Sequence, residues 1–165
     1  MENITTNKTT IALLGLTGSG KSALGNTLTN KKDFFIESDN PESQTQEVKG
    51  SEGQFNDKPV YIIDTPGLYD SNNQDNAHLE LITNFFRETR DLKSIFITID
   101  FRPFRIDGTI VNFFQILQNM YPGKKIFNHI CIVWTFFSIK GKKYIEPKKK
   151  RTKRYVKKKF SRYYK

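Results

Sequence analysis

A glycine-rich turn between an apolar run and a short helical segment constrains this chain more than any other feature. Residues 11–28 read IALLGLTGSGKSALGNTL. The stretch from Thr10 to Leu14 is continuous rather than alternating, which predicts a strand buried on both faces. The run stops at Gly15, and Gly20, Lys21 and Ser22 lead into a predicted helix from Lys21 to Leu28. The spacing G-x-x-x-x-G-K-S is complete. Gly15 leaves the strand without a Cβ clash, and Gly18 and Gly20 let backbone N–H groups turn inward around phosphate oxygens. The helix that follows adds its positive dipole end. In a loop of this kind Lys21 reaches the β- and γ-phosphates, and the Ser22 hydroxyl ligates Mg²⁺. Gly15, Gly18, Gly20, Lys21 and Ser22 are therefore the candidate phosphate cradle.

A second motif supports the first. Val60 to Asp64 predicts another buried strand, halted by Pro66-Gly67. Asp64 ends it where a carboxylate can hold the Mg²⁺ shell, and the Gly67 N–H is placed to meet a γ-phosphate. Asp, Pro and Gly are turn residues too; what favours the metal reading is the phosphate loop upstream. Between the two motifs, Thr45 is the candidate for a second Mg²⁺ hydroxyl, carried by a loop that γ-phosphate would order.

The remaining pattern predicts the fold. Residues 30–43 are polar and turn-rich. Gln44 to Lys49 alternates weakly, as an edge strand does, and Asn56-Asp57 marks a turn. A helix is predicted from His78 to Thr89, with Leu79, Leu81, Ile82 and Phe85 or Phe86 toward the core. Ile95 to Phe101 predicts a third buried strand. Gly108 to Met120 predicts a helix with Ile110, Phe113, Phe114 and Leu117 on one face, ended by Pro122-Gly123, and Ile130 to Phe137 a fourth strand. Buried strands alternating with amphipathic helices predict an α/β, doubly wound, mostly parallel sheet flanked by helices, the P-loop NTPase arrangement, with its ligand at the carboxyl ends of the strands.

Composition narrows the setting. The 165 residues suit one domain. No apolar run approaches the roughly 18 residues of a membrane helix, and the polar start MENITTNKTT has no signal-peptide h-region. Cys131 is the single cysteine; it sits in HICIVW, which predicts a buried, inert thiol and a reducing, cytoplasmic location. His78 and His129 have no partners at metal-ligand spacing and predict structural or exposed roles. The net charge of +10 is local: residues 140–165 hold fourteen Lys/Arg and one acidic residue, so everything before them is mildly acidic. The chain accordingly divides into a leader (1–8), a domain (9–139) and a basic tail (140–165).

GLTGSGKSALGNTL, the SQT at 43–45 and DTPGLYDS at 64–71 together resemble the immunity-associated GTPases, the GIMAP, IAN or AIG-type family, related to septins and chloroplast import GTPases. FRPFRIDGTIVNFFQILQNMYP resembles that family's further box, with Phe104, Arg105, Ile106 and Asp107 in its turn. The resemblance covers roughly residues 8–137. It implies a Ras-like fold, GTP or GDP with Mg²⁺, phosphates held along Gly15, Leu16, Thr17, Gly18, Ser19, Gly20, Lys21, Ser22 and Ala23, slow hydrolysis, association as a homodimer through the G domain, and frequent residence at membranes. Slow hydrolysis also has a local reason: a Ras-type switch carries a water-orienting glutamine after Asp-x-x-Gly, and here Leu68 stands there.

Two departures matter. Guanine recognition uses Thr-Lys/Arg-x-Asp after the fourth strand; here the run is Thr135, Phe136, Phe137, Ser138, so Thr135 carries over and the acidic residue does not. A hydrogen bond to a charged group is worth roughly 1.5–3 kcal/mol, so losing two predicts weakened guanine preference. The family's last strand and helix also have no counterpart after Phe137, which reads as a C-terminal truncation. The tail stays open to three readings: a solvated basic terminus, an amphipathic helix on an anionic membrane surface with Val156, Phe160 and Tyr163 on one face, or a nuclear-import or nucleic-acid segment at 147–154, the last disfavoured. Two functions of different class stand beside the switch GTPase: a nucleotide-binding scaffold without base specificity or turnover, and a basic membrane or nucleic-acid binder with a vestigial loop.

Overall fold

The computed structural model describes residues 8–36, 47–68, 75–89, 91–102, 114–119, 121 and 126–136. In chain order these form β1 (Thr9–Gly15), α1 (Lys21–Thr29), β2 (Lys49–Phe55), β3 (Lys58–Asp64), α2 (Asp75–Glu88), β4 (Leu92–Asp100), a helical stretch α3 (114–119), a 3₁₀ turn (Ile126–His129) and β5 (Ile130–Thr135). The five strands lie in one sheet in the order β2-β3-β1-β4-β5. β1 is central and parallel to both β3 and β4, with Ile11 opposite Ile62 and Ile97 opposite Leu14. β5 runs parallel to β4. The expected mostly parallel α/β sheet is present.

Alternation along the strands divides the core between two faces. Ile11 and Leu13 of β1 point to one face, with Val60 and Ile62, under Leu28 of α1 and Phe35. Ala12 and Leu14 point to the other, with Ile63, Ile95 and Ile97, under Ile82 and Phe86 of α2 and Phe114 and Leu117 of α3. Both faces are covered, which is why these strands read as continuous apolar runs.

The structure corrects several local expectations. The edge strand is β2, beginning at Lys49 where the alternating segment was expected to end; Gln44 to Gln46 lie outside the described residues. It pairs antiparallel with β3 through a tight hairpin whose Asn56 and Asp57 both have positive φ (48° and 60°), the two-residue turn that strand twist favours. KGSEGQF carries almost no apolar signal because β2 lies beside α1: a Cβ on Gly53 would stand 2.3 Å from the Thr29 Cα. On α2, Ile82 and Phe86 are buried one turn apart as expected, but Leu81 is 43% exposed and His78 is buried in its place. A helix positions i and i+4 on one face, and 81 lies off the 78–82–86 line. Cys131 is exposed rather than buried, because β5 is an edge strand among the described residues. For the helix expected over 108–120, residues 114–119 are helical, and Ile110 and Phe113 lie outside the described residues.

Phe35 sits within the stretch read as a polar loop, yet it is 1% exposed. Asn30 ends α1 in the left-handed region (φ 54°), and the chain folds back. The Asn26 side chain then grips the backbone of Phe35, donating from Nδ2 to its carbonyl (2.9 Å) and accepting its N–H at Oδ1 (2.8 Å). Phe35→Ala should therefore lower stability by about 3–5 kcal/mol, measured as a shift of the urea midpoint; a shift below about 1 kcal/mol would mean that the segment after α1 is not part of the core.

Candidate functional site

The site is assembled where the sheet ends. β1 finishes at Gly15, β3 at Asp64, β4 at Asp100 and β5 at Thr135, all at carboxyl ends. The loop from Gly15 to Gly20 turns through Gly18 (φ 71°) and Gly20 (φ 82°), both left-handed. L-residues rarely adopt such angles, so the backbone itself requires glycine there. Gly20 is the N-cap of α1 with no side-chain cap, so the first N–H groups of the helix face the loop.

Lys21 is the first residue of α1 and is buried (6% exposed). Its Nζ donates to the Leu16 carbonyl at 2.9 Å and more weakly to the Gly15 carbonyl at 3.4 Å, so the ammonium is drawn under its own loop. Burial lowers its pKa from 10.5 to about 8, against the pull of the Asp64 carboxylate, which raises it. A cation held out of water beside backbone oxygens is under-compensated, and phosphate oxygens would supply the missing negative charge.

The structure brings together Ser22 and Asp64, two of the residues expected to hold Mg²⁺. The Ser22 Oγ donates to Asp64 Oδ2 at 2.7 Å, and Asp64 is buried at the end of β3. This pair of hard oxygen donors matches what Mg²⁺ prefers. Among the described residues no group of three or more His, Cys, Asp or Glu could hold a metal alone, so a cation here would depend on phosphate oxygens and water for its other ligands. Thr45 lies outside the described residues.

The two loops are zipped together. Leu16 and Leu68 form a parallel bridge, with Leu68 N–H donating to the Gly15 carbonyl and Thr17 N–H to the Leu68 carbonyl, each at 3.3 Å. Gly67 lies so close to Thr17 that an added Cβ would fall 2.3 Å from its Oγ1. Among the described residues, that Thr17 hydroxyl is buried with no hydrogen-bond partner. An unsatisfied buried hydroxyl costs about 1–3 kcal/mol, and here it lies between the phosphate loop and the residue expected to meet the γ-phosphate.

Three contacts at the site had no sequence signal beyond residue type. His78 reaches from α2 to place its Nδ1 2.8 Å from the Gly67 carbonyl. Ser19 and Thr98 share a buried hydrogen bond of 2.6 Å, and the Thr98 hydroxyl also donates to the Leu14 carbonyl at 3.1 Å, tying the loop to β4. The Thr135 hydroxyl donates to the Ser19 carbonyl at 2.7 Å, with the Ile99 carbonyl 3.2 Å away, and the side chain lies against Gly20. Thr135, expected to face the base, is thus engaged as a strut under the loop. Leu16 and Gly18 lie within this loop, and Ala23 lies in the first turn of α1. Ser138, Tyr69, Asp70 and residues 103–107 lie outside the described residues.

Comparison with known proteins agrees with this geometry. The chain is 30% identical over 128 residues to immune-associated nucleotide-binding protein 5 of Arabidopsis thaliana, covering 76% of this chain and 39% of that protein. It is 29% identical over 130 residues to immune-associated nucleotide-binding protein 7 of the same plant, covering 76% and 40%. The chain therefore spans about two fifths of the length of these curated relatives. Among solved structures it resembles Toc33 from Arabidopsis thaliana in complex with GDP and Mg²⁺ (TM-score 0.64, 25% identity, 80% of this chain and 52% of that one). Era of Aquifex aeolicus, bound to GDP and aluminium fluoride, shares the fold (TM-score 0.58, 18% identity, 93% and 48%). The family pattern itself runs from residue 9 to residue 162, through the site and into the basic segment, and so the chain belongs to the AIG1 family.

Proposed function

We propose that this chain binds guanine nucleotide with Mg²⁺ and acts as a slow switch, associating with a second copy through the same domain. The observation that carries the reading is the pairing of a buried, loop-bound Lys21 with Ser22 and Asp64 in contact at 2.7 Å. In this reading Lys21 would hold phosphates, and Ser22 with Asp64 would hold a cation against them. The cation would neutralise phosphate charge; the chain's own part is to grip, orient and sense. The unpartnered Thr17 hydroxyl fits an added phosphate oxygen. The solved Toc33 complexes with GDP and Mg²⁺ and with GMPPNP and Mg²⁺ support the ligand by likeness. The chloroplast translocon components atToc33 and psToc159, for which dimerisation is important to GTPase activity, share the fold, and the paired form is proposed on that likeness.

Leu68 favours the second reading, a nucleotide-binding scaffold with little turnover. It is 2% exposed and fixed by the bridge to Leu16, so it has neither a polar group nor the freedom to orient water. The basic segment 140–165 lies outside the described residues; its charge supports docking on an anionic membrane from the cytoplasmic side.

Calorimetric titration of the chain with GTPγS, with Mg²⁺ and with EDTA, tests the proposal. Binding should weaken at least tenfold when the cation is removed, and Ser22→Ala should erase that difference. Equal affinity with and without Mg²⁺ in the parent chain would remove the metal from the reading.

A further inference from the structure

The segment that follows β3 is pinned on either side of Gly67. Asp64 stays in register with Leu13 at the strand end. Thr65 is buried, and its Oγ1 donates to the Leu13 carbonyl at 2.7 Å. Pro66 has a ring-fixed φ. Beyond Gly67, the peptide that joins it to Leu68 is gripped at both ends. Its N–H donates to the Gly15 carbonyl at 3.3 Å, and its carbonyl oxygen lies 2.8 Å from His78 Nδ1. A carbonyl only accepts, so the imidazole carries its proton on Nδ1 and donates. Glycine rotates more easily than any other residue. His78 supplies one of the contacts that stop Gly67 from doing so.

A histidine at this place needs a reason of its own. Residues 78, 82 and 86 form one stripe of α2, and His78, Ile82 and Phe86 are each 2% exposed. An apolar residue would complete that stripe without taking polar atoms out of water. Burying an imidazole is costly unless it is hydrogen-bonded. The bond it makes reaches across to another segment, to the carbonyl of the residue expected to meet a γ-phosphate. α2 is itself fixed, because Ile82 and Phe86 pack in the core with Ala12 and Leu14 of β1, Ile63 of β3 and Ile95 of β4. His78 therefore carries the position of the packed core to Gly67.

We propose that His78 is a positioning residue that sets the preference of this chain for a third phosphate. By holding the Gly67 carbonyl, it fixes the direction of the same residue's N–H. The inference rests on the nucleotide reading above and deepens it: discrimination between nucleoside di- and triphosphates depends on a side chain outside both motifs. GDP ends one phosphate short of Gly67, so its affinity is independent of His78.

Calorimetric titration of the full chain with GDP and with GTPγS, both with Mg²⁺, tests this. His78→Leu keeps an apolar side chain in the stripe and removes the donor. It should weaken GTPγS about tenfold and leave GDP within about twofold of the parent. His78→Asn sets an amide nitrogen close to the place of Nδ1 and should restore the parent ratio. His78→Gln moves the donor one bond further out and should lose the ratio as His78→Leu does, which keeps the test intact where the leucine variant does not fold. A histidine that only fills the core would shift the urea midpoint and move both nucleotides together. Equal losses for GDP and GTPγS, or a ratio unchanged in His78→Leu and His78→Gln, would overturn the proposal and leave the nucleotide reading standing. So would a ratio that His78→Asn leaves as low as His78→Leu does. If the parent chain binds neither nucleotide, the nucleotide reading itself fails, and this inference with it.

Discussion

Replacing Lys21 with alanine should reduce nucleotide affinity at least a hundredfold while leaving the empty protein folded. The ammonium is the one cation described at the heart of the loop, and its two acceptors are carbonyls of that same loop. Its pKa falls from 10.5 to about 8, and desolvation is the larger cause. A shift of that size corresponds to a penalty on the order of 3 kcal/mol in the empty state, which bound phosphates would relieve. The pH dependence follows with opposite signs for folding and binding. The folded pKa lies below the unfolded value, so between about pH 8 and 10.5 the unfolded chain holds more protons, and the stability of the empty protein should rise across that window. Binding needs the charged form, so affinity should fall as pH passes about 8. Lys21→Met, which keeps the bulk and removes the charge, should flatten both trends. Thermal unfolding with and without GTPγS from pH 7 to 10 reads both at once. Undiminished binding in Lys21→Ala would show that the loop does not hold phosphates.

Gly67→Ala should have the second large effect, and a more selective one. The added methyl would fall 2.6 Å from the Thr17 Cα and 2.7 Å from its backbone nitrogen. Those are main-chain atoms, so the collision cannot be relieved by a side-chain rotation. The bridge between Leu16 and Leu68 must open. The phosphate loop, held from below by Ser19, Thr98 and Thr135, keeps its other supports. GDP, which needs only the Gly15–Ser22 loop, should bind within a few-fold of the parent. GTPγS should lose at least tenfold relative to GDP, because the N–H that would meet its last phosphate is displaced. Parallel titrations give the ratio, and an unchanged ratio would mean that Gly67 does not sense the third phosphate.

What the sequence disclosed and what it withheld have a common physical basis. The Gly15–Ser22 loop, the end of β3 at Asp64 and the four parallel strands were legible because each is dictated locally. A buried strand must be apolar along its length, and glycine is the residue that enters a left-handed turn at no steric cost. β2 was misplaced because its burial is set by α1 and β3, not by its own pattern; KGSEGQF has two glycines and scarcely a hydrophobic alternation. Phe35 was overlooked because a loop aromatic becomes core only when something distant, here Asn26, fixes its backbone. Within the site, Ser22 and Asp64 could be singled out from their motifs, though their direct contact could not. The His78 contact to Gly67 and the use of Thr135 as a strut could not, since each joins residues brought together only by packing.

The bridge between Leu16 and Leu68 also bears on kinetics. Strand-like hydrogen bonds open and close cooperatively, so segments that share them exchange their amide protons together. The Thr17 and Leu68 amides are such a pair, and His78 ties the first turns of α2 to the same unit through the Gly67 carbonyl. Parting of Leu68 from the loop and exposure of the Thr17 amide are then one opening event with one rate. That rate is set by how often the two segments separate, while the contacts of Ser19, Thr98 and Thr135 hold the rest of the loop in place.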